Sequence, residues 1–162
     1  GLYKMTFKVA TTTVTASDFQ VYEGGILVAT EDATATHGIN LSYIDGDYAL
    51  LEVYFNNAGA LGGRLREIQA GESKTYTLKA SVTGYTSGSS NGVATSMTGD
   101  AAIASADYDL NAVAVDGVDD DDFIWSDLAF GNTTTTATTT VEWLNGYYVD
   151  GLLTTTSSAK SI

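Results

Sequence analysis

Apolar and polar side chains alternate with a period of two along most of this chain. In "YKMTFKV" one face carries an apolar set and the other a polar set. The apolar set is Tyr3, Met5, Phe7 and Val9, and the polar set is Lys4, Thr6 and Lys8. The stretches "SKTYTLKASV" and "ALLEVYF" repeat the pattern. Such alternation is typical of antiparallel strands with one buried face, and the many Thr and aromatic residues favour strands as well.

Turn signals separate these alternating runs. Gly24-Gly25, Asp45-Gly46 and Asn145-Gly146 each lie between two strand-like stretches. A type I′ turn needs positive φ at both central residues, so Asx-Gly and Gly-Gly pairs are strong hairpin signals. The sequences around Gly71 and Asn91 predict further loops.

Helix signals are weak by comparison. The stretch "LGGRLREIQ" contains two adjacent glycines, which disfavour a helix, and the Ala-rich "GDAAIASADYD" fits the small-residue face of a strand as well as a helix. About ten short strands with regular turns predict one all-β domain over residues 1–162, an antiparallel β-sandwich with little helix. The pattern alone leaves a jelly-roll or a barrel-like closure open as an alternative.

Composition agrees with a folded, water-facing domain. Of the 162 residues 44% are hydrophobic, and the chain contains no Cys and no Pro. Disulfides and Cys-ligated zinc are therefore excluded. Apolar runs fall well short of the ~20 residues that span a bilayer, so membrane insertion is not expected. Because the chain opens inside a strand-like run, we expect it to be a piece of a longer precursor.

The net charge of −13 narrows the class of partner. With a pI near 4.1, the surface repels phosphate backbones and anionic membranes, so nucleic acid is not an expected partner. Divalent cations suit such a surface, although solubility alone also accounts for much of the charge.

The densest negative charge lies in "DGVDDDDFIWSD", directly before an apolar anchor of Phe123, Ile124 and Trp125. Several carboxylates this close together suit Ca²⁺, which takes six to eight oxygen ligands in flexible geometry. The spacing is not that of an EF-hand, and a solvated acidic loop is the alternative. Asp45 and Asp47 form a weaker second candidate. The predicted calcium ligands are Asp116, Asp119, Asp120, Asp121, Asp122 and Asp127.

Catalytic signals are sparse. His37 is the one histidine, so neither a two-His metal site nor a His-centred triad is supported. No nucleophile elbow, P-loop or dinucleotide fingerprint occurs. Glu52 and Glu142 are the carboxylates that a glycosidase pair would use, but an alternating strand turns its acids to solvent by default. We therefore expect a protein that is not an enzyme.

Three stretches resemble a known family. They are "LYKMTFKVATTTVTASDFQVYEGG", "REIQAGESKTYTLKASVTG" and "DDDFIWSDLA…VEWLNGYYVDGL". Together they are similar to a segment of large secreted surface-layer-like proteins of uncultured bacteria of the candidate phyla radiation. The most specific part runs from Phe123 to Asp127 and continues through Trp143, Asn145-Gly146-Tyr147 and Gly151-Leu152. Related segments often continue with proline, where this chain has Leu153. The resemblance implies an exported Ig-like β-sandwich at the cell surface and no catalytic residues.

The leading functional hypothesis is a structural subunit of an extracellular surface layer or filament, assembled from copies of itself. The segment Gly1–Ala10 could leave its own sheet and complete that of a neighbouring copy. Tyr3, Met5, Phe7 and Val9 would then enter the neighbour's core. The alternative, slightly favoured, is that this segment is the first strand of its own sandwich.

The second hypothesis is a carbohydrate-binding or adhesive β-sandwich module. Trp143, Tyr147 and Tyr148 lie near one predicted hairpin and could stack on sugars.

Asn40 and Asn132 begin N-x-Ser/Thr sequences, and the Thr-rich tract 133–140 could carry O-linked glycans. A glycan at any of these positions would agree with an extracellular location.

Overall fold

The computed structural model describes residues 1–31, 38–44, 48–55, 66–98, 122–125, 144–145 and 160–161. All of the regular structure in these ranges is β-strand, and the all-β prediction is confirmed. The strands are β1 (Leu2–Thr12), β2 (Thr15–Glu23), β3 (Ile26–Thr30), β4 (Gly38–Ile44), β5 (Tyr48–Tyr54), β6 (Tyr76–Thr83), β7 (Gly92–Met97), β8 (Phe123–Trp125), β9 (Leu144–Asn145) and β10 (Lys160–Ser161).

The strands form two antiparallel sheets that pack against each other, as a β-sandwich requires. The larger sheet has seven strands, with a main path β10-β7-β1-β5-β4, and β8 joins β1 to β9. The smaller sheet has the order β3-β2-β6. Their shared core contains apolar side chains from both sheets. For example, the rings of Phe55, next to β5, and Tyr76 of β6 lie 5.3 Å apart.

Two of the predicted hairpins are present. Gly24 and Gly25 connect β2 to β3 with φ of 54° and 90°, the left-handed values that the Gly-Gly signal predicts. Strands β4 and β5 pair antiparallel from Gly38↔Tyr54 to Ile44↔Tyr48. The Asp45-Gly46 turn itself lies outside the described residues, as does the connection after Asn145.

The alternation in β1 and β5 produces the core face of the larger sheet. Met5 pairs with Val53 and Phe7 with Leu51, and directly opposed residues of an antiparallel pair point to the same face. Leu51 and Val53 are completely buried. Each such side chain contributes about 1.5–3 kcal/mol relative to an exposed one, so this face is a main source of stability.

Strand β2 of the smaller sheet contains a bulge. The register between β2 and β6 shifts between Ser17 and Gln20, and Asp18 has a φ of 53°. Such a φ is uncommon outside glycine, although Asp tolerates it better than most residues. The backbone N–H of Phe19 donates to Glu31 Oε1 at 2.7 Å. The Glu31 side chain therefore satisfies a backbone donor at the bulge.

Candidate functional site

The predicted calcium segment falls almost entirely outside the described residues. Asp116, Asp119, Asp120, Asp121 and Asp127 lie there, as do Asp45 and Asp47. Asp122 is described and directly precedes β8, which pairs with β1 through Met5↔Phe123. Among the residues that the structure describes, no three His, Cys, Asp or Glu side chains form a group that could hold a metal. The calcium site stays a prediction of the sequence.

Strand β1 lies in the interior of the larger sheet of its own chain. It pairs with β5 on one side and with β7 and β8 on the other. Met5 and Val9 are buried, and Tyr3 and Phe7 are half-buried. This is the arrangement of a first strand within its own sandwich. Exchange of Gly1–Ala10 between copies would require these pairs to form with a neighbour instead, and it stays a prediction.

Of the remaining predicted site residues, one lies in the described part of the chain and the others lie outside it. Asn40 is described, and its Nδ2 donates to Glu52 Oε2 at 2.9 Å. That nitrogen is the atom to which an N-glycan would be attached, so a glycan at Asn40 would lie next to the Glu52 carboxylate. Asn132, Trp143, Tyr147, Tyr148 and Glu142 lie outside the described residues.

The outer face of the larger sheet, which points away from the smaller sheet, differs from the simple expectation of a solvated face. Lys4 is only 1% exposed, and its Nζ lies 2.7 Å from Glu52 Oε1. Tyr54 adds a hydroxyl donor to the same oxygen at 3.3 Å, and its ring lies 5.3 Å from the Lys4 Nζ. Because Glu52 forms an ion pair with Lys4 and accepts hydrogen bonds from Asn40 and Tyr54, its carboxylate serves to hold β1, β4 and β5 together.

Among the strands whose exposure the structure describes along their full length, β6 is the most exposed, and it is an edge strand of the smaller sheet. In the described part of the chain β6 pairs only with β2. Its side chains from Lys79 to Thr83 are all exposed. An exposed strand edge presents unpaired backbone N–H and C=O groups to any strand that can align with it. This edge is the candidate functional site of the described chain.

The inward face of β6 is only partly covered by its own chain. Tyr76 and Leu78 pack against the core. Val82 continues the same face and lies opposite the buried Ala16, yet it is 48% exposed. An apolar side chain at this position has room for a further contact.

On the opposite face of β6, Lys79 contacts a tyrosine of the neighbouring strand β2. Its Nζ lies 4.2 Å from the centroid of the Tyr22 ring, within the range of a cation–π contact. The Tyr22 hydroxyl in turn donates to Gln20 Oε1 at 2.7 Å. The lysine therefore extends over the sheet face toward β2 instead of across the outer edge of β6.

An ion cluster fixes the beginning of β6. Lys74 Nζ donates to Glu23 Oε1 at 3.1 Å, and Arg66 Nε lies 3.7 Å from Glu23 Oε2. Arg66 also exchanges backbone hydrogen bonds with Leu2 of β1, which connects the cluster to the larger sheet. Burial, and then the neighbouring Glu23 carboxylate, raise the pKa of the Tyr76 hydroxyl well above its ordinary value.

A hydrogen-bonded loop fixes the end of β6. Asn91 Nδ2 donates to the carbonyls of Thr86 and Ser89 at 2.9 and 2.8 Å, and Asn91 Oδ1 accepts from the Thr86 N–H at 3.1 Å. Thr13, in the β1–β2 turn, places its Oγ1 2.6 Å from the Ser90 carbonyl. At Gly84 φ is 82°, which favours glycine directly after the strand. Both ends of the exposed strand are thus held by its own chain.

Sequence reasoning identified β6 as a strand but not as an exposed edge. One feature of "YTLKASVT" is typical of an edge, the lysine in the middle of the strand. It does not distinguish an edge from a solvated face of an interior strand, because that depends on the order of strands in the sheet.

Comparison of the chain with protein-family models, with curated proteins and with solved structures gives no match. Among the described residues there is no helix with the length and apolar character of a membrane span.

Proposed function

We propose that this chain is a structural subunit of an extracellular assembly, a surface layer or a filament, that is built by association of its own copies. The observation that carries the proposal is the exposed edge of β6, whose side chains from Lys79 to Thr83 are all accessible. Strand addition to such an edge gains affinity from main-chain hydrogen bonds and specificity from alternate side chains.

The preorganisation of β6 supports the same proposal. The Glu23 cluster holds its beginning, and the Asn91 loop and Thr13 hold its end. A strand already fixed in extended form loses little conformational freedom when it pairs with a partner. An edge without a binding role has less reason to be both held at its ends and uncovered, because exposed edges favour aggregation.

The extracellular location rests on the sequence. Three segments resemble secreted surface-layer-like proteins, and a net charge of −13 without cysteine suits an exported, highly soluble subunit. In this proposal calcium at Asp116–Asp127 braces the subunit. Thermal melting in EDTA, followed by return of calcium or of magnesium, tests that part: a melting temperature that calcium does not change would contradict it.

Electron microscopy of the purified chain tests the proposed function. We expect regular particles, sheets or fibres that form as protein concentration rises. Accessibility of the chain to an added protease on intact producing cells tests its location. Dispersed single subunits at every concentration, or a chain that is protected inside the cell, would contradict the proposal.

A further inference from the structure

We infer that two copies pair through β6 in one specific antiparallel register, with Ala80 on the two-fold axis. This inference rests on the proposed function and specifies its contact. The resulting sheet would run continuously from the smaller sheet of one copy to that of the other. Two properties of β6 determine the register: which side chains share a face of the strand, and which of them are already covered by their own chain.

Directly opposed residues of an antiparallel pair must point to the same face of the sheet. In β6 one face carries Tyr76, Leu78, Ala80 and Val82, which alternate with Thr77, Lys79, Ser81 and Thr83. A residue can therefore face only a residue of its own set in the second copy. Among symmetric registers, those centred on Lys79, Ala80 or Ser81 keep most of the strand paired.

Charge and the length of strand that is paired favour one of these three registers. Centring on Lys79 would place two lysines directly opposite each other, and like charges in that position destabilise a sheet. Centring on Ser81 would leave the start of β6 unpaired. Centring on Ala80 places Lys79 opposite the partner's Ser81 and pairs nearly the whole strand.

The apolar face agrees with the Ala80-centred register. Leu78 would lie opposite the partner's Val82, and by symmetry Val82 opposite the partner's Leu78. Val82 is 48% exposed in the single chain although it continues the core face. The second copy would cover this side chain on both sides of the axis. Tyr85, 76% exposed just beyond the strand, would extend toward the partner's Thr75.

The symmetry of this contact has a consequence for assembly. An isologous pair is closed, so a layer or filament would need a second contact between such dimers. One pair of edges buries less surface than the ~1,200–2,000 Å² of a standard stable interface. We therefore expect the isolated pair to be weak and readily reversible, and a covalent cross-link is a sensitive way to detect it.

Because the chain contains no cysteine, an introduced cysteine can form a disulfide only with its counterpart in a second copy. In the variant Ala80→Cys, two thiols would meet across the axis at a Cα separation of about 4.5–5.5 Å, which suits a disulfide. The matched control is Thr77→Cys, also exposed on β6, whose two copies would lie about 20 Å apart. Under mild oxidation we expect a covalent dimer from the first variant and almost none from the second.

A charge series at Ser81 gives a second, noncovalent readout. Ser81→Glu would place a carboxylate opposite the partner's Lys79 twice in each dimer, and we expect association about three- to tenfold tighter. Ser81→Lys should weaken it by a similar factor.

Equal cross-linking of both cysteine variants, or the reverse order in the Ser81 series, would overturn the register. An associating wild-type chain whose Ala80→Cys variant does not cross-link would also overturn it and leave the proposed function standing. A wild-type chain that never associates would overturn both.

Discussion

At the scale of single residues, the outer face of the larger sheet depends on a charge pair in an unexpected place. Lys4 is almost fully buried, whereas Glu52 retains 25% exposure and accepts from Asn40 and Tyr54 as well. The two members of the pair are thus unequal: the lysine relies on the carboxylate more than the carboxylate relies on the lysine. A buried charge whose partner is removed is far more costly than a pair replaced by apolar groups.

This asymmetry predicts the effect of changing each member. Glu52→Gln leaves a buried ammonium beside a neutral amide, and we expect the free energy of unfolding to fall by about 3 kcal/mol. Lys4→Met retains the aliphatic volume and removes the buried charge, so we expect a loss of about 1 kcal/mol or less. Urea unfolding of both variants measures the difference. A larger loss for Lys4→Met would show that the pair is not the main constraint on this face.

Tyr76 makes stability depend on alkaline pH. Its pKa is raised above the ordinary value of 10.0 by burial first and by Glu23 second. The unfolded chain loses this proton as the pH passes 10, while the folded chain keeps it. The corresponding stability is therefore fully present below pH 10 and is lost as the pH rises further.

Replacement of the hydroxyl should remove this dependence. We expect the unfolding free energy of Tyr76→Phe to fall less than that of the wild type between about pH 9 and about pH 11. Tyr85→Phe, at an exposed tyrosine, is the matched control and should follow the wild type. Identical pH profiles for Tyr76→Phe and the wild type would rule out Tyr76 as the source.

At the scale of elements, Glu31 connects the β2 bulge of the smaller sheet to the larger sheet. Glu31 accepts the Phe19 N–H and is bridged to Ile39 of β4 through the backbone. One residue after β3 thus stabilises the bulge in β2 and meets a strand of the larger sheet. The bulge in turn lies opposite β6, so its geometry affects the exposed edge.

Removal of this acceptor should weaken the smaller sheet. Glu31→Ala leaves the Phe19 N–H without its side-chain partner, and we expect a loss of about 1–2 kcal/mol in unfolding free energy. Glu31→Gln retains a carbonyl oxygen and should lose less than half as much. Hydrogen exchange at the Phe19 amide reports the bond directly: unchanged protection in Glu31→Ala would mean that the carboxylate does not protect it.

Local signals determined how far the sequence could predict these elements. The alternation in "YKMTFKV" correctly predicted Met5, Phe7 and Val9 on the core face of β1, but Tyr3 is not part of the core and its ring lies against Tyr54. The pair Gly24-Gly25 predicted a hairpin that is present. Alternation does not tell what covers the second face, so the burial of Lys4 was missed. Strand order depends on contacts between distant segments, and for that reason the exposed edge of β6 could not be predicted. The proposed calcium residues were found by composition, which gives no geometry.

At the scale of the whole molecule, charge opposes the proposed assembly. Each chain carries a net charge of −13, so two copies repel before their edges meet. Screening shortens the reach of this repulsion from about 30 Å at 0.01 M salt to about 8 Å at 0.15 M. Association through hydrogen bonds and apolar contacts should therefore strengthen as salt is added.

This salt dependence can be measured by light scattering. We expect association to increase over that range of sodium chloride, and calcium chloride at matched ionic strength to increase it further if the acidic segment binds the ion. An equal effect of the two salts would leave screening as the sole cause. Weaker association at higher salt would show that ion pairs between copies, and not strand pairing, hold the assembly together.

The most direct measurement is sedimentation equilibrium of the wild type, Ala80→Glu and Ser87→Glu over a wide range of concentration. Ala80 and Ser87 are both exposed, and the two variants add the same charge, one on the β6 edge and one in the following loop. We predict that the wild type and Ser87→Glu associate beyond the 17.0 kDa monomer, whereas Ala80→Glu stays monomeric and folded. A wild-type chain of 17.0 kDa at all concentrations, or equal association of all three proteins, would contradict the account.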